Sequence, residues 1–375
     1  MNSRERVLLI LNHKEPDRIA VDLGGGVSSL MKKAYINLLN FLGREHLNVN
    51  YSLMDTVLNI DENILLNFGV DFRRVWLGDP VENKIIYKKD GTILDIFKIK
   101  RKKIGEYIEI INPPLANADF ENLKEYKFPD PEDRGWLTGV KEQIELLKKQ
   151  NQYAIVLGMS MDGIFEMGTY LFGFEDFLVK LYTEKKLVSY FFDKLLYFLT
   201  AFWSKISNEI GKDIDMIELG DDMANQRQLF FSRDIYREMI KSRHMELFRC
   251  IKKNNSVKIF LHCCGSVYEL IEDLIEVGVD ILNPIQPGAH NMQSLLLKKK
   301  FGTKICFHGG IDEQYYLSRA SIEEMSDEIK RIIKNLAPQG GYILAPAHNI
   351  QSDTSPEKII KLYKTALEFG KYPLK

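Results

Sequence analysis

Short runs of β-branched and aromatic residues alternate along this chain with longer stretches whose apolar residues recur every three or four positions. The first kind reads as strands and the second as helices. Ser3 is placed to cap a helix from Arg4 to about Asn12, which Pro16 closes. A strand at Arg18–Leu23 runs into Gly24–Gly26, helices follow at Ser29–Leu42 and about Glu62–Phe68, and a second strand covers Phe72–Leu77. Between about Pro80 and Pro114 the rhythm changes. Two β-rich runs flank Asp90-Gly91, a hairpin signal, and Tyr107–Ile111 adds another run, so this segment reads as an antiparallel excursion.

From Tyr153 onward strand and helix alternate steadily. Strands are expected at Tyr153–Leu157, Ile214–Leu219, Lys258–Leu261, Asp280–Asn283, Lys304–Phe307 and Tyr342–Leu344. Helices are expected at Ile164–Tyr182, Glu184–Ile210, Arg233–Lys253, Val267–Val277, Gln293–Lys299, Ile322–Leu336 and Pro356–Phe369. Such alternation implies a parallel sheet with helical crossovers. Two early strands and six later ones make eight, the number that closes a (β/α)8 TIM barrel. The expectation is one barrel domain over residues 1–375 with an antiparallel insertion at about 80–114. Polar clusters follow the strands at Met159–Gly163, Glu218–Asp222, His262–Gly265, Asn283–Gln286, His308–Asp312 and His348–Asp353, and a barrel gathers such loops on the face that carries its active site. A doubly wound sheet would show GxGxxG after its first strand; Gly24–Gly26 is only a triple glycine.

Composition narrows the function. Of 375 residues 45% are hydrophobic and 27% charged, the balance of a globular protein. The 51 basic and 52 acidic side chains nearly cancel, so no global field draws the chain to nucleic acid or an anionic membrane. The charged N-terminus and the absence of a long apolar run read as cytoplasmic. Four cysteines, two adjacent, do not make a disulfide framework.

The chemistry concentrates in Val257–Ser266, VKIFLHCCGS. Residues two apart on a strand share a side, so His262 and Cys264 face together while Cys263 faces away. An imidazole and a thiolate at a strand's end suit zinc, though strand-end histidines often only hydrogen-bond and buried cysteines often only pack. The third ligand candidate is His348 at the end of the last strand, because in a closed barrel that strand pairs with the first and ends on the same rim. His262, Cys264 and His348 would give an N, S, N set with one position open, the catalytic pattern. Cys306 and His308 form a rival pair with the same spacing. Glu218 and Asp222 read as a fourth ligand, a general acid or base, a binder of a polar group, or caps of the following turn. Asp312 and Gln286 fall in the same class. Tyr170, in EMGTYLFG, reads either as reaching over the mouth or as core. Cys250 reads as core; His13, His46, His244 and His290 read as surface or cap residues.

Arg4–Asp22, HCCGS, FHGGID and the closing GGYILAPAHNIQSDTSPEKI resemble the uroporphyrinogen decarboxylase superfamily, whose fold is a (β/α)8 barrel. True decarboxylases of that family carry an arginine-rich RQAGRY motif for a substrate with many carboxylates; here the stretch is VDLGGGVSSLMKK, without arginine. The other branch, the cobamide-dependent methyltransferases, binds zinc through an H-x-C pair and a later cysteine. His262 and Cys264 match the pair, and His348 stands where the cysteine usually does. The resemblance implies methyl transfer, with Zn2+, between a methylated small molecule and a corrinoid (cobalamin) carried by a separate partner protein at the open face. The donor reads as a methoxylated aromatic (O-demethylation), with Glu218, Asp222 and Tyr170 as catalytic candidates. Transfer from methylcorrinoid to a thiol, and a metal-free decarboxylase or lyase using His348 and Asp222, are the alternatives. A non-catalytic corrinoid-protein partner that keeps only the docking face is a third.

Overall fold

The computed structural model describes residues 1–44, 49–105 and 107–374. His46, read as a surface or cap residue, lies outside the described residues. Two strands open the fold, β1 (Ala20–Val21) and β2 (Phe72–Val75). Four short strands follow, β3 (Ile86–Tyr87), β4 (Thr92–Leu94), β5 (Lys100–Ile104) and β6 (Tyr107–Asn112). Six more complete the order: β7 (Ala154–Leu157), β8 (Met216–Gly220), β9 (Lys258–His262), β10 (Ile281–Ile285), β11 (Cys306–Ile311) and β12 (Tyr342–Pro346). Eight strands form one parallel sheet in the order β1-β12-β11-β10-β9-β8-β7-β2, with helices between them, a nearly closed TIM-type barrel. The last strand pairs with the first, Ala20 opposite Ile343. No helix among the described residues is long and apolar enough to cross a membrane.

The barrel strands are buried on both faces, one covered by helices and one by the barrel's own interior. The interior is layered with period two. Ala20, Phe72, Met216, Phe260, Ile281 and Cys306 join Val7, Ile10 and Leu11 of the N-terminal helix in one apolar cluster. Two positions further along the same strands stand Asp22, Arg74, Glu218, His262, Asn283 and His308. Above a dry floor, therefore, the barrel carries a buried polar layer.

That layer also closes the seam between β1 and β2, which share no ladder. Arg74 donates to Asp22 at 2.6 and 2.9 Å and to Glu218 at 2.7 and 2.9 Å. At the strand starts, Asp71 accepts from Arg6, Arg18 and the Val21 N–H. The turn after β1 packs directly on this bridge. Gly25 has φ +85°, and a Cβ there would lie 2.7 Å from Arg74 Nε and 2.8 Å from Glu218 Oε1. Gly25→Ala is expected to cost about 2–4 kcal/mol, overpacking and backbone strain together, read as a lower urea midpoint at unchanged slope.

The excursion from the barrel is a four-stranded antiparallel sheet, β3-β4-β5-β6. β3 and β4 are the hairpin about Asp90-Gly91, with Ile86 opposite Leu94. The charged run at Lys100–Ile104 forms β5, which apolar alternation does not reveal. Arg101 on β5 pairs with Asp95 at 2.9 Å and lies 5.2 Å over the Tyr170 ring, so the insertion reaches the barrel mouth.

Candidate metal centre at the barrel mouth

β9 delivers its polar end to the mouth because pairing continues past the apolar run on both sides. The Asp221 N–H donates to the His262 carbonyl, and the Cys263 N–H to the Asn283 carbonyl. Cys263 faces away, fully buried, its sulfur accepting from the Met223 N–H. Gly265 then turns the chain at φ +86°, where a Cβ would sit 2.4 Å from the Asn225 carbonyl oxygen. Its N–H donates to Gln286 Oε1, and the Cys264 N–H donates to Asp222 Oδ1 at 2.7 Å. His348 arrives from β12. The next residue, Asn349, fixes that turn by accepting from the Ser29 N–H and donating to the Gly26 carbonyl.

One donor atom each from His262, Cys264 and His348 lie within 4.8 Å of one another. His262 Nε2 is 3.3 Å from Cys264 Sγ, and the two imidazoles meet edge to face with centroids 5.8 Å apart. Ligands of a tetrahedral zinc, at about 2.0–2.3 Å from the ion, lie about 3.3–3.7 Å apart, so an inward shift of about 1 Å at most fits the cluster around one ion. The second ring nitrogen of His262 contacts Asn283 Oδ1 at 2.5 Å, the outer support that metal-binding histidines use.

Electrostatics favour a cation here. Burial and the neighbouring His262 push His348 down to about 4, which leaves it a neutral ligand at pH 7. Burial, then Asp222, Glu313 and Glu166, push the Cys264 thiol far above its usual range. Every charged neighbour in that set is an acid. A divalent ion would reverse the balance and ionise the thiol.

Other predicted residues fall in different places. Asp222, about a third exposed, has Oδ1 3.7 Å from His262 Nε2 and stands beside the cluster. Glu218 turns away from it: Oε1 is taken by Arg74, and Oε2 accepts from the Met159 N–H. Tyr170 donates to Glu166 Oε1 at 2.5 Å, and Glu166 Oε2 accepts from the Asp222 N–H. The rival pair does not meet at the mouth. Cys306 lies in the apolar floor, and His308 spends both ring nitrogens on Asn283 and Asp22. Asp312 caps a helical turn through the Tyr315 and Tyr316 N–H groups.

Some of the residues read as bland are not. His244 is buried rather than at the surface, because its Nε2 pairs with Asp221 Oδ2 at 2.8 Å and its Nδ1 meets the Tyr236 hydroxyl. Cys250 is half-buried, beside Ser204 and the Thr200 carbonyl. Sequence reasoning missed three acids at the mouth. Burial pushes Asp162 up to about 6, and burial with Asp162 and Asp222 raises Glu166 well above its ordinary value. Burial pushes Glu313 up to about 7, and its Oε2 is buried without a hydrogen-bond partner. Asp162 lay in a flagged polar loop; Glu166 and Glu313 sit in the first turns of the helical segments that follow, where acids are common.

The sequence profile described as uroporphyrinogen decarboxylase (URO-D) matches residues 98–369. No curated protein sequence matches the chain. Among solved structures, a methyltransferase from Methanosarcina mazei aligns over 98% of this chain and 99% of its own, with TM-score 0.67 and 18% identity, a likeness of fold. A GH113 β-1,4-mannanase aligns over 92% and 98% at TM-score 0.36 and 8% identity, too distant to bear on the site.

Proposed function

The chain belongs to the uroporphyrinogen decarboxylase (URO-D) family, and from that premise we propose that it is a cytoplasmic, zinc-dependent methyltransferase working with a separate corrinoid protein. The observation that carries this reading is the convergence of His262, Cys264 and His348 on one point at the mouth. That a methyltransferase from Methanosarcina mazei shares the fold supports it. Bound there, zinc would supply a Lewis acid that stabilises charge on the atom losing or gaining the methyl group.

The remaining residues favour the direction that removes a methyl group from an oxygen and passes it to the reduced corrinoid. Breaking the carbon–oxygen bond leaves an oxyanion that takes up one proton. Burial, with Asp162 and Asp222 beside it, raises Glu166 well above its ordinary range against the opposing hydrogen bond that Tyr170 donates, which makes it the acid placed to supply that proton. Asp222 links this acid to the Cys264 backbone. A methoxylated aromatic fits as donor, with Tyr170 as a ring neighbour. Methyl transfer to a thiol is the reverse use of the same ligands and has no need of the stored proton.

The family name favours a second reading, a metal-free decarboxylase or lyase with His348 and Asp222 as its catalytic groups. Even a small acid substrate would face Asp162, Asp222 and Glu313, with Arg101, itself paired with Asp95, as the cation the insertion brings over Tyr170. The charge is of the wrong sign. Zinc analysis of the purified protein, with methoxylated aromatics screened against a reduced corrinoid protein, separates the two. One zinc per chain and methylated corrinoid support methyl transfer; a zinc-free protein that releases CO2 supports the lyase.

Loading the site at pH 7 is expected to release about one proton. In the metal-free protein burial keeps the Cys264 thiol protonated, whereas His348, pushed down to about 4, has no proton to lose. The sign follows: zinc affinity rises with pH, about tenfold per unit between about pH 6 and 8. Calorimetry in buffers of different ionisation heats counts the proton. A count of zero would contradict a thiolate ligand.

A further inference from the structure

Behind the cluster the buried polar layer forms a continuous chain from β2 to β9. Arg74 forks onto Asp22; Asp22 Oδ2 lies 3.0 Å from His308 Nε2. His308 Nδ1 lies 2.8 Å from Asn283 Nδ2, and Asn283 Oδ1 lies 2.5 Å from His262 Nδ1. Asp22, Asn283 and His308 are fully buried, and His262 is 5% exposed, so water does not offer these groups alternatives. Arg74 can only donate and Asp22 only accept, whereas His308, Asn283 and His262 each have two hydrogen-bonding states of which a neighbour permits one.

We infer that Asp22, acting through His308 and Asn283, sets the tautomer of His262 and so holds its Nε2 unprotonated toward Cys264 and His348. The logic runs one way. Asp22 is an ionised acceptor: despite its burial, the Arg74 guanidinium and His308 hold its carboxyl far below the ordinary range. His308 must therefore present Nε2–H to it and keep Nδ1 as an acceptor. Asn283 must then turn its amide NH2 toward His308, and a second donation to Ser28 Oγ at 3.4 Å agrees with that orientation. Its carbonyl oxygen is left facing His262, which must donate from Nδ1. The lone pair on His262 Nε2 is thereby committed to the mouth. Were Asn283 reversed, its NH2 would demand an acceptor at His262 Nδ1, and the proton would move to Nε2, where it blocks a metal. Asp22, His308 and Asn283 are positioning residues: Asn283 touches only the far nitrogen of His262, and none of the three offers an atom to the point where His262, Cys264 and His348 converge.

The inference rests on reading the cluster as a metal centre, but its test does not. In metal-free protein labelled with 15N-histidine, nitrogen–carbon-bound-proton correlations distinguish the two ring tautomers. The wild type is expected to show His262 protonated on Nδ1 and His308 on Nε2. Asp22→Asn places an amide that can donate to His308 and is expected to reverse both rings. Zinc affinity, measured against a competing chelator, is expected to fall about 10–100-fold. Should Asp22→Asn fail to fold, Asn283→Leu leaves the Arg74–Asp22–His308 anchor intact. It is expected to keep His308 on Nε2, release the His262 preference, and weaken zinc by a similar factor. A wild-type His262 protonated on Nε2 would overturn the inference. So would variants that lose zinc affinity with His262 unchanged, which would mark the chain as scaffold. A wild type that shows the expected tautomers and binds no zinc would leave the relay standing and remove the function proposed above.

Discussion

Replacing Cys264 with alanine is expected to strip the metal and lower methyl transfer by about 10³-fold or more, the several kcal/mol that a Lewis acid contributes to such a transition state. Cys264 supplies the only sulfur in the cluster and the only group there that must lose a proton to bind. Its removal leaves two imidazoles, a set too weak to hold zinc against free chelators in a cell extract. The fold has little stake in the side chain, which is half-buried and contacts His262 alone by hydrogen bonding. Thermal unfolding of the metal-free variant is therefore expected to match that of the metal-free wild type within about 0.5 kcal/mol. Zinc by elemental analysis and methyl transfer to a corrinoid protein are the two readouts. A Cys264→Ala protein that holds one zinc and turns over normally would remove Cys264 from the site. It would also leave open the reading of the chain as a docking partner that needs no metal of its own.

Arg74→Leu is expected to cost about 3–5 kcal/mol of folding stability, the penalty for breaking a buried ion pair by removing one partner. The Arg74 side chain is 5% exposed and its partners Asp22 and Glu218 are 0% and 1% exposed, so both carboxylates would be stranded. The loss also opens the β1–β2 seam, which no ladder holds. Glu218→Gln is the informative control. The amide can still accept from Arg74, and Asp22 still answers the charge, so a smaller cost of about 1–3 kcal/mol is expected. If Glu218 were a zinc ligand, that variant would lose metal; the hydrogen bonds assign it to the seam, and zinc content is expected to stay at the wild-type level. Urea unfolding with both proteins in chelator separates stability from metal loss.

The barrel could be read from the chain because parallel strands, covered on both faces, are continuous apolar runs that stand out between amphipathic helices. From β8 onward the same signal set the strand ends too early, whereas it carried β1 and β2 two residues too far. Lys304–Phe307 reads as a complete strand, yet β11 runs Cys306–Ile311, since His308, Gly309 and Gly310 remain paired with β12 inside the barrel. A hydrophobic pattern stops at the first polar residue, and this barrel's interior turns polar halfway up. Conversely, the helix expected over Ile164–Tyr182 is two helices, broken at Gly173, whose φ of +95° no right-handed helix accepts.

The cluster itself was legible in part. Spacing two on a strand puts His262 and Cys264 together, and barrel closure brings His348 to them. Their support was not legible. His308 and Asp22 are 286 positions apart, and only the closed sheet makes them neighbours. Asn283 reads as a strand end before a proline, and Arg74 stands out only as a residue of the second strand. His308 carried a signal, the spacing with Cys306, but the signal pointed to a metal rather than to Asp22. Glu218 shows the same limit: an acid at a strand end reads as chemistry until its countercharge, here on another strand, is found.

X-ray absorption at the zinc edge of the purified protein tests the central claim most directly. One sulfur at about 2.3 Å, with nitrogen or oxygen at about 2.0–2.1 Å making up four ligands and two of them scattering as imidazoles, is the expected result. Zinc with no sulfur neighbour, or a protein that takes up no zinc at all, would contradict it.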